Sequence, residues 1–414
     1  MIGSRGVVAA GLLVLAFASL APAEADPAGI APVAASGKAS FVHADGMLIR
    51  DENGRELKLR GVNLGGWLVW EGWIWGGGQD AESALMRQLE EVLGAEGARA
   101  FRTDYYARFV GEKDIARVAR MGLNVVRVPI NHRLLEDDAA PGVYKDAGWQ
   151  VLDRLLGWCE KHRVYAVLDL GAAPGGQCKY FYADPDAGGL LWDSEANQAR
   201  TVALWKAVAA RYKDRRIIAG YDLLDEPIPP DGQTLVNLYT RIIAAIREVD
   251  PGHMLIIQGA DFSRDLSIFS RPLDRNQAYS FHLYTWFLDD RRKLLDAFRA
   301  VAGKHNVPLW NGEFGENKLD MLQSTVAMLE DPRNRVCGYC FWTWKKVPNK
   351  YPALLSFDPS DKWKTLISWA SGSWFTRKPS PQAAAAAARE FLAAVEYDQN
   401  AENSELRDIL VPKN

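Results

Sequence analysis

The chain has 414 residues, 48% of them hydrophobic and 24% charged, with a formal net charge of −3. That is ample for one large core, and the charge balance leaves no basic footprint for nucleic acid and no acidic tail. Its 15 Trp and 14 Tyr supply flat aromatic faces of the kind that suit the apolar faces of sugar rings.

Residues 1–25 read as a secretory signal. Arg5 is the positive flank, Val7 to Leu20 is an apolar and small-residue run, and Ala23-Glu24-Ala25 offers small residues for cleavage before Asp26. The run is shorter than the roughly 20 residues a spanning helix needs, and no other segment is long and apolar enough. The expectation is a secreted or periplasmic protein with no stable membrane insertion after cleavage. Residues 26–38, rich in Ala, Pro and Gly, read as a linker.

From 39 to 398 one domain is expected, followed by a tail at 399–414. Strand-like runs fall at 57–65, 124–130, 165–170, 218–225, 254–259, 278–284, 308–314 and 336–344. Helical patterns fall between them at 149–162, 198–212, 234–249, 291–304 and 319–330, and an Ala-rich one opened by Pro381 follows at 381–395. Several strands are near-continuous apolar runs, as expected when helices cover the sheet. Eight strands alternating with helices predict an α/β fold of the (β/α)8 TIM-barrel type rather than an open sheet. Residues 80–106, between the first two strands, are expected to form an extra helix over the barrel that helps wall in a pocket.

No glycine-rich phosphate loop follows any strand, which argues against nucleotide binding. Cys337 and Cys340 form a C-x-x-C inside a strand, where residues three apart face opposite ways and share neither a metal nor a disulfide. Six scattered His, of which only His282 ends a strand, give no metal cluster, and no strand-end Lys suggests a Schiff base. No metal or cofactor is expected.

In a β/α barrel the chemistry sits at the C-terminal ends of the strands. Those ends carry Glu71 just after strand one, Arg127 on strand two, Asp169 on strand three and Asp225-Glu226-Pro227 after strand four. His282 and Tyr284 end strand six, Glu313 in Gly312-Glu313-Phe314-Gly315 ends strand seven, and Trp342 and Trp344 end strand eight. Strands four and seven stand on opposing walls, so Glu226 and Glu313 can flank a substrate. Glycoside hydrolysis needs such a pair, one carboxyl protonated to assist the leaving oxygen and one ionised to attack the anomeric carbon. Trp67, Trp70, Trp73 and Trp75 crowd one loop and read equally as a channel wall or as a hydrophobic cap.

Gly61-Val62-Asn63-Leu64-Gly65-Gly66-Trp67 with Glu71, then Arg127, Leu224-Asp225-Glu226-Pro227, His282-x-Tyr284, Glu313 and Trp342 together resemble glycoside hydrolase family 5, above all its exo-β-1,3-glucanases. The resemblance implies that Glu226 is acid/base and Glu313 nucleophile. Arg127 and Tyr284 would hold Glu313, His282 would bond the polar groups of the site, Trp342 would stack under the first sugar, and Glu71 would accept its hydroxyls. Ala173-Pro174-Gly175-Gly176-Gln177 resembles the strand-three loop of the same enzymes. Two positions depart from the pattern: Asp225 stands where the family has Asn, and could still accept a bond from the sugar 2-hydroxyl. Gly171 stands where it has His, which removes a polar contact and is expected to open space beside the sugar. The implied function is a retaining β-glycosidase acting on a β-glucan or oligosaccharide, first of all an exo-β-1,3-glucosidase. The alternatives are an endo-β-1,4-glucanase and a non-catalytic glycan-binding barrel. Oligomeric state is not set by the sequence.

Overall fold

Eight strands rich in Val, Ile, Leu and Tyr form a single closed parallel ring in the computed structural model. The structure describes residues 40–185, 191–284, 290–315 and 318–411, so the signal and linker read at 1–25 and 26–38 lie outside the described residues. The strands are β1 Leu59–Asn63, β2 Val125–Asn131, β3 Tyr165–Ala172, β4 Ile218–Asp222, β5 Met254–Gln258, β6 Gln277–Leu283, β7 Leu309–Gly315 and β8 Val336–Trp342. Each pairs with its neighbour in sequence and β8 closes on β1, so the predicted (β/α)8 barrel is the fold. Every strand is buried along its whole length, because helices cover the outside and side chains fill the inside.

The predicted helices are present, three of the six beginning two or three residues before their apolar periodicity does. Capping explains the early starts: Ser194 accepts from Asn197 N at 3.2 Å, and Asp231 from Thr234 N at 2.9 Å. The last one, Pro381–Ala394, has Pro at its first position and Ser380 as its cap. After β5, in place of a long helix, a four-residue turn at Ala260–Ser263 carries positive φ at Asp261, Phe262 and Ser263.

Two expectations need correction. The segment 80–106 does form a helix, α1 Glu82–Arg108, but no residue of it lines the cavity at the barrel mouth. It braces the loop after β1 from behind, in an aromatic core where Trp75 Nε1 donates to Tyr105 Oη at 2.8 Å and Trp363 stacks on Phe391 at 3.7 Å. The segment predicted as a tail from 399 folds back instead. Ala401–Glu402 pairs antiparallel with Leu355–Ser356, and the helix Ser404–Leu410 buries Leu406 and Leu410, whose carbonyl accepts from Tyr339 Oη at 3.0 Å. Two leucines one turn apart are too short a pattern to read as a helix from sequence. A hairpin, Val42–Asp45 with Leu48–Asp51, was also not foreseen; it packs against β4, β5 and β6.

All four cysteines are free and buried. Among the described residues no helix is long and apolar enough to cross a membrane.

Candidate active site

The carboxyl ends of the strands open into a cavity of about 680 Å³ whose lining includes Glu71, Asp225, Glu226, His282, Glu313 and Trp342, with Tyr284 beside them. Seven of the eight residues picked from sequence therefore share one wall-to-wall site. The eighth, Arg127, is fully buried directly beneath it.

Glu226 follows β4 with its backbone in the left-handed region, φ 43°. For a non-glycine residue this costs on the order of 1–3 kcal/mol and persists only where surroundings enforce it. Here Gln258, at the end of β5, enforces it: its Oε1 accepts from Glu226 N at 2.9 Å while its Nε2 donates to Asp222 Oδ2 at 2.9 Å. Glu313 ends β7 on the opposing wall, where Arg127 Nη1 donates to its Oε1 at 2.6 Å and Tyr284 Oη to its Oε2 at 2.9 Å.

One imidazole measures the gap. His282 Nδ1 lies 2.7 Å from Glu226 Oε1 and 3.7 Å from Glu313 Oε2. Both carboxyls therefore lie against one ring, close enough to flank a single glycosidic bond.

Burial pushes the carboxyls of both Glu226 and Glu313 above the usual range. At Glu226 the Asp225 charge adds to the rise, while Tyr182 and Arg127 draw it back down. Glu313 has His282 and Arg127 drawing it back down. Burial also lowers His282, so its ring is neutral and one proton serves the His282–Glu226 contact.

Arg127 is tied more widely than expected. Besides Glu313 it reaches Asp222 Oδ2 at 2.9 Å, Asp225 Oδ1 at 2.7 Å and Asn63 Oδ1 at 3.1 Å. Asp169 Oδ1 is 3.1 Å away without an aligned hydrogen bond, and burial drives that carboxyl well above its ordinary range. One fixed cation faces four buried carboxylates here. Asp225, His282 and Glu313 offer one ligand atom each within 4.8 Å of one another, but a metal there would face the guanidinium already bonded to two of them.

The tryptophan loop divides between both of its readings. Trp67, Trp70 and Trp75 are core, whereas Trp73 lines the cavity and its Nε1 donates to Glu71 Oε2 at 2.7 Å. Lys346 stands 5.5 Å from the Trp73 ring, and Asn349 and Tyr351 complete that end of the cavity.

Gly171 lines the cavity, yet the space expected there is already filled. A Cβ on it would meet Val69 Cγ2 at 2.9 Å and Pro129 Cβ at 3.0 Å. Gln177, fully buried, locks the loop after β3: its Nε2 donates to Gly171 O at 2.7 Å and to Asp225 O at 2.9 Å. Sequence reading missed this lock, as it missed Gln258, although a polar residue ending the apolar strand Met254–Gln258 is the signal that marked the other strand ends. Tyr180, Phe181 and Tyr182 on the same loop, with Phe262 and Arg264 after β5, form a further wall that carried no sequence signal. The Tyr180 and Phe262 rings lie 5.3 Å apart.

Fold and site together define a β/α barrel with two glutamates facing each other across its mouth. Residues 87–347 match the family model described as cellulase, glycosyl hydrolase family 5. The chain belongs to glycosyl hydrolase family 5. It is 35% identical over 294 residues to a beta-xylosidase of Phanerodontia chrysosporium, covering 67% of this chain and 62% of that one. It is 30% identical over 211 residues to endoglucanase C of Acetivibrio thermocellus, covering 50% of this chain and 60% of that one. With a probable glucan 1,3-beta-glucosidase A of Emericella nidulans it shares 33% over 208 residues, covering 48% and 51%. The chain thus spans about three fifths of the length of the first two relatives. Among solved structures, rutinosidase from Aspergillus niger superimposes with a TM-score of 0.59 at 18% identity, covering 72% of this chain and 92% of that one. An endogalactoceramidase gives 0.55 at 20%, covering 74% and 75%. These structural likenesses bear on the fold alone.

Proposed function

We propose that the protein is a retaining β-glycosidase that releases single sugars from the end of a β-glucan or oligosaccharide, an exo-β-1,3-glucosidase in the first instance. The observation that carries this is the single imidazole nitrogen lying 2.7 Å from Glu226 and 3.7 Å from Glu313. Two carboxyls sharing one imidazole can flank a single glycosidic bond, as the pair of a glycosidase must.

In the first half of the reaction Glu313 attacks that carbon and forms a glycosyl ester. Glu226 gives its proton to the departing oxygen. In the second half Glu226, now ionised, takes a proton from water, the water oxygen bonds to the anomeric carbon, and the Glu313 carboxylate is released. Two inversions leave the configuration retained. Arg127 and Tyr284 hold Glu313 in line throughout, and Trp342 offers the sugar an apolar face.

The exo reading is supported by the likeness to proteins named glucan 1,3-beta-glucosidase and by Glu71 and Trp73 on the cavity wall. The endo-β-1,4 reading is favoured by the likeness to endoglucanase C. Products decide between them. Laminarin should yield glucose alone with its anomeric configuration retained by proton NMR, and cellulose oligomers should be poor substrates; internal cleavage of cellulose would favour the endo reading, and an inverted anomer would defeat retention. Aryl β-xylosides belong in the same panel. Glu313→Ala should lower aryl-glucoside hydrolysis by about 10³ or more. Equal rates in that variant and the wild type would sink the assignment of Glu313 as nucleophile. The Val7 to Leu20 run and the Ala23-Glu24-Ala25 that follows support export of the enzyme, to be read from the N-terminus of protein recovered outside the cytoplasm.

A further inference from the structure

Tyr182 carries a buried hydroxyl that has no partner. Its ring lines the cavity, its oxygen is shielded from solvent, and no hydrogen bond reaches it. After burial, the Glu226 carboxyl and the Cys178 thiol are the groups that act on it most strongly. It is close enough to Glu226 to hold that carboxyl's pKa down, against burial and the Asp225 charge, yet it is not aligned with either oxygen.

What keeps the hydroxyl there is the loop and not a bond of its own. Gln177 ties one side of the loop to β3 and to the residue before Glu226. On the other side Asp184 accepts from Ser83 N at 2.9 Å, Asn131 Nδ2 at 2.9 Å and Arg133 Nη1 at 2.7 Å. A buried hydroxyl left unpaired is unfavourable, and the strain is relieved when a strong acceptor arises beside it. The reaction makes such an acceptor. On Glu226, Oε1 already meets His282 Nδ1, and no described donor reaches Oε2.

We infer that Tyr182 is a positioning residue for the second half of the reaction: its hydroxyl rotates to donate to the Glu226 carboxylate once that group has given up its proton, and orients it toward the attacking water. The tyrosine keeps its own proton. The proton taken from water goes to Glu226, the water oxygen bonds to the anomeric carbon, and the Glu313–carbon bond breaks with its electron pair returning to the carboxylate. The inference rests on the acid/base reading of Glu226. The charged and titratable groups facing Glu226 are Asp225 beside it, His282 from β6, Glu313 from β7, Arg127 from β2, Arg264 after β5, and Tyr182 with Cys178 from the loop after β3.

The test is Tyr182→Phe in the full chain, with Glu226→Ala beside it. Because the hydroxyl bonds nothing in the resting fold, the variant should melt at or above the wild-type temperature. Its alkaline limb of kcat/KM should move up by about half a pH unit or more, since a donor to the ionised acid has been removed. With a dinitrophenyl β-glucoside, whose departure needs no acid, kcat near neutrality should fall several-fold, and azide, which needs no base, should restore it. An unmoved limb, or a loss that is equal for all leaving groups and indifferent to azide, overturns the inference. If Glu226→Ala is rescued by azide while Tyr182→Phe shows no shift, the Tyr182 inference alone fails. If Glu226→Ala keeps the wild-type profile, the acid/base reading falls and this inference with it.

Discussion

Arg127 donates to Glu313 at 2.6 Å from a position with no solvent access, and through its other terminal nitrogen it holds Asp225 at 2.7 Å. One guanidinium therefore spans the floor of the site between the residue before Glu226 and the carboxylate on the opposing wall. A planar cation with a fixed fork does this; a lysine, with one nitrogen, could not span both.

The departure at Asp225 has a consequence in the pH profile. Its charge is the next cause after burial that pushes Glu226 up, and it also raises Glu313. Asp225→Asn keeps an oxygen for Arg127 but removes the charge. Both carboxyls should then release their protons more readily, so both limbs of the kcat/KM profile should move to lower pH, by about one unit for Glu226. Activity at the new optimum should stay within about tenfold of wild type. The profile on an aryl β-glucoside checks this, and limbs that stay in place would contradict it.

Restoring the family's histidine at Gly171 should not restore a lost contact. Val69 and Pro129 occupy the space a Cβ would need, at 2.9 and 3.0 Å. Gly171→Ala should already lower stability by about 1–3 kcal/mol, and Gly171→His by at least as much. Urea denaturation of both variants tests the point. A His variant as stable as wild type would mean that the pocket wall yields.

Glu82 gives the fold a pH dependence of its own. It is buried, accepts from Tyr106 Oη at 3.0 Å, Trp70 N at 3.2 Å and Asn131 Nδ2 at 3.2 Å, and is pushed up to about 7 by burial and by Asp184. A carboxyl raised in the folded state binds its proton more tightly there than in the unfolded chain. Its contribution is complete below the ordinary Glu range and is lost as pH rises through about 7. The loss amounts to about 3 kcal/mol. Glu82→Gln, which keeps the shape without the proton, should flatten the fall in stability between pH 5 and 7. Denaturation at both ends of that range would show an unchanged slope if Glu82 were not responsible.

Much of this was legible in the sequence. The eight strands announced themselves as continuous Val-, Ile- and Leu-rich runs, and once their order around the ring was assumed, Glu226 and Glu313 had to face each other. Side-chain convergence was not legible. That Arg127 meets Asp222, Asp225 and Glu313 at once depends on barrel twist and register, which no local pattern encodes. The filling of the Gly171 space by Val69 comes from a contact between distant loops. The helix at Ser404–Leu410 and the unpaired hydroxyl of Tyr182 are equally tertiary facts. The residues at strand ends were found because burial and polarity conflict there; Gln258 met the same criterion and was missed, and its bonds to the Glu226 backbone and to Asp222 are tertiary.

The assignment of the two glutamates is tested most directly by trapping. A 2-deoxy-2-fluoro β-glucoside with a dinitrophenyl leaving group slows the second half of the reaction more than the first, so the ester should accumulate. Mass analysis of the peptides should place one fluoroglucosyl group on Glu313 in wild type, and none in Glu313→Ala. A label on any other residue, or release of dinitrophenol with no covalent adduct, would contradict the mechanism.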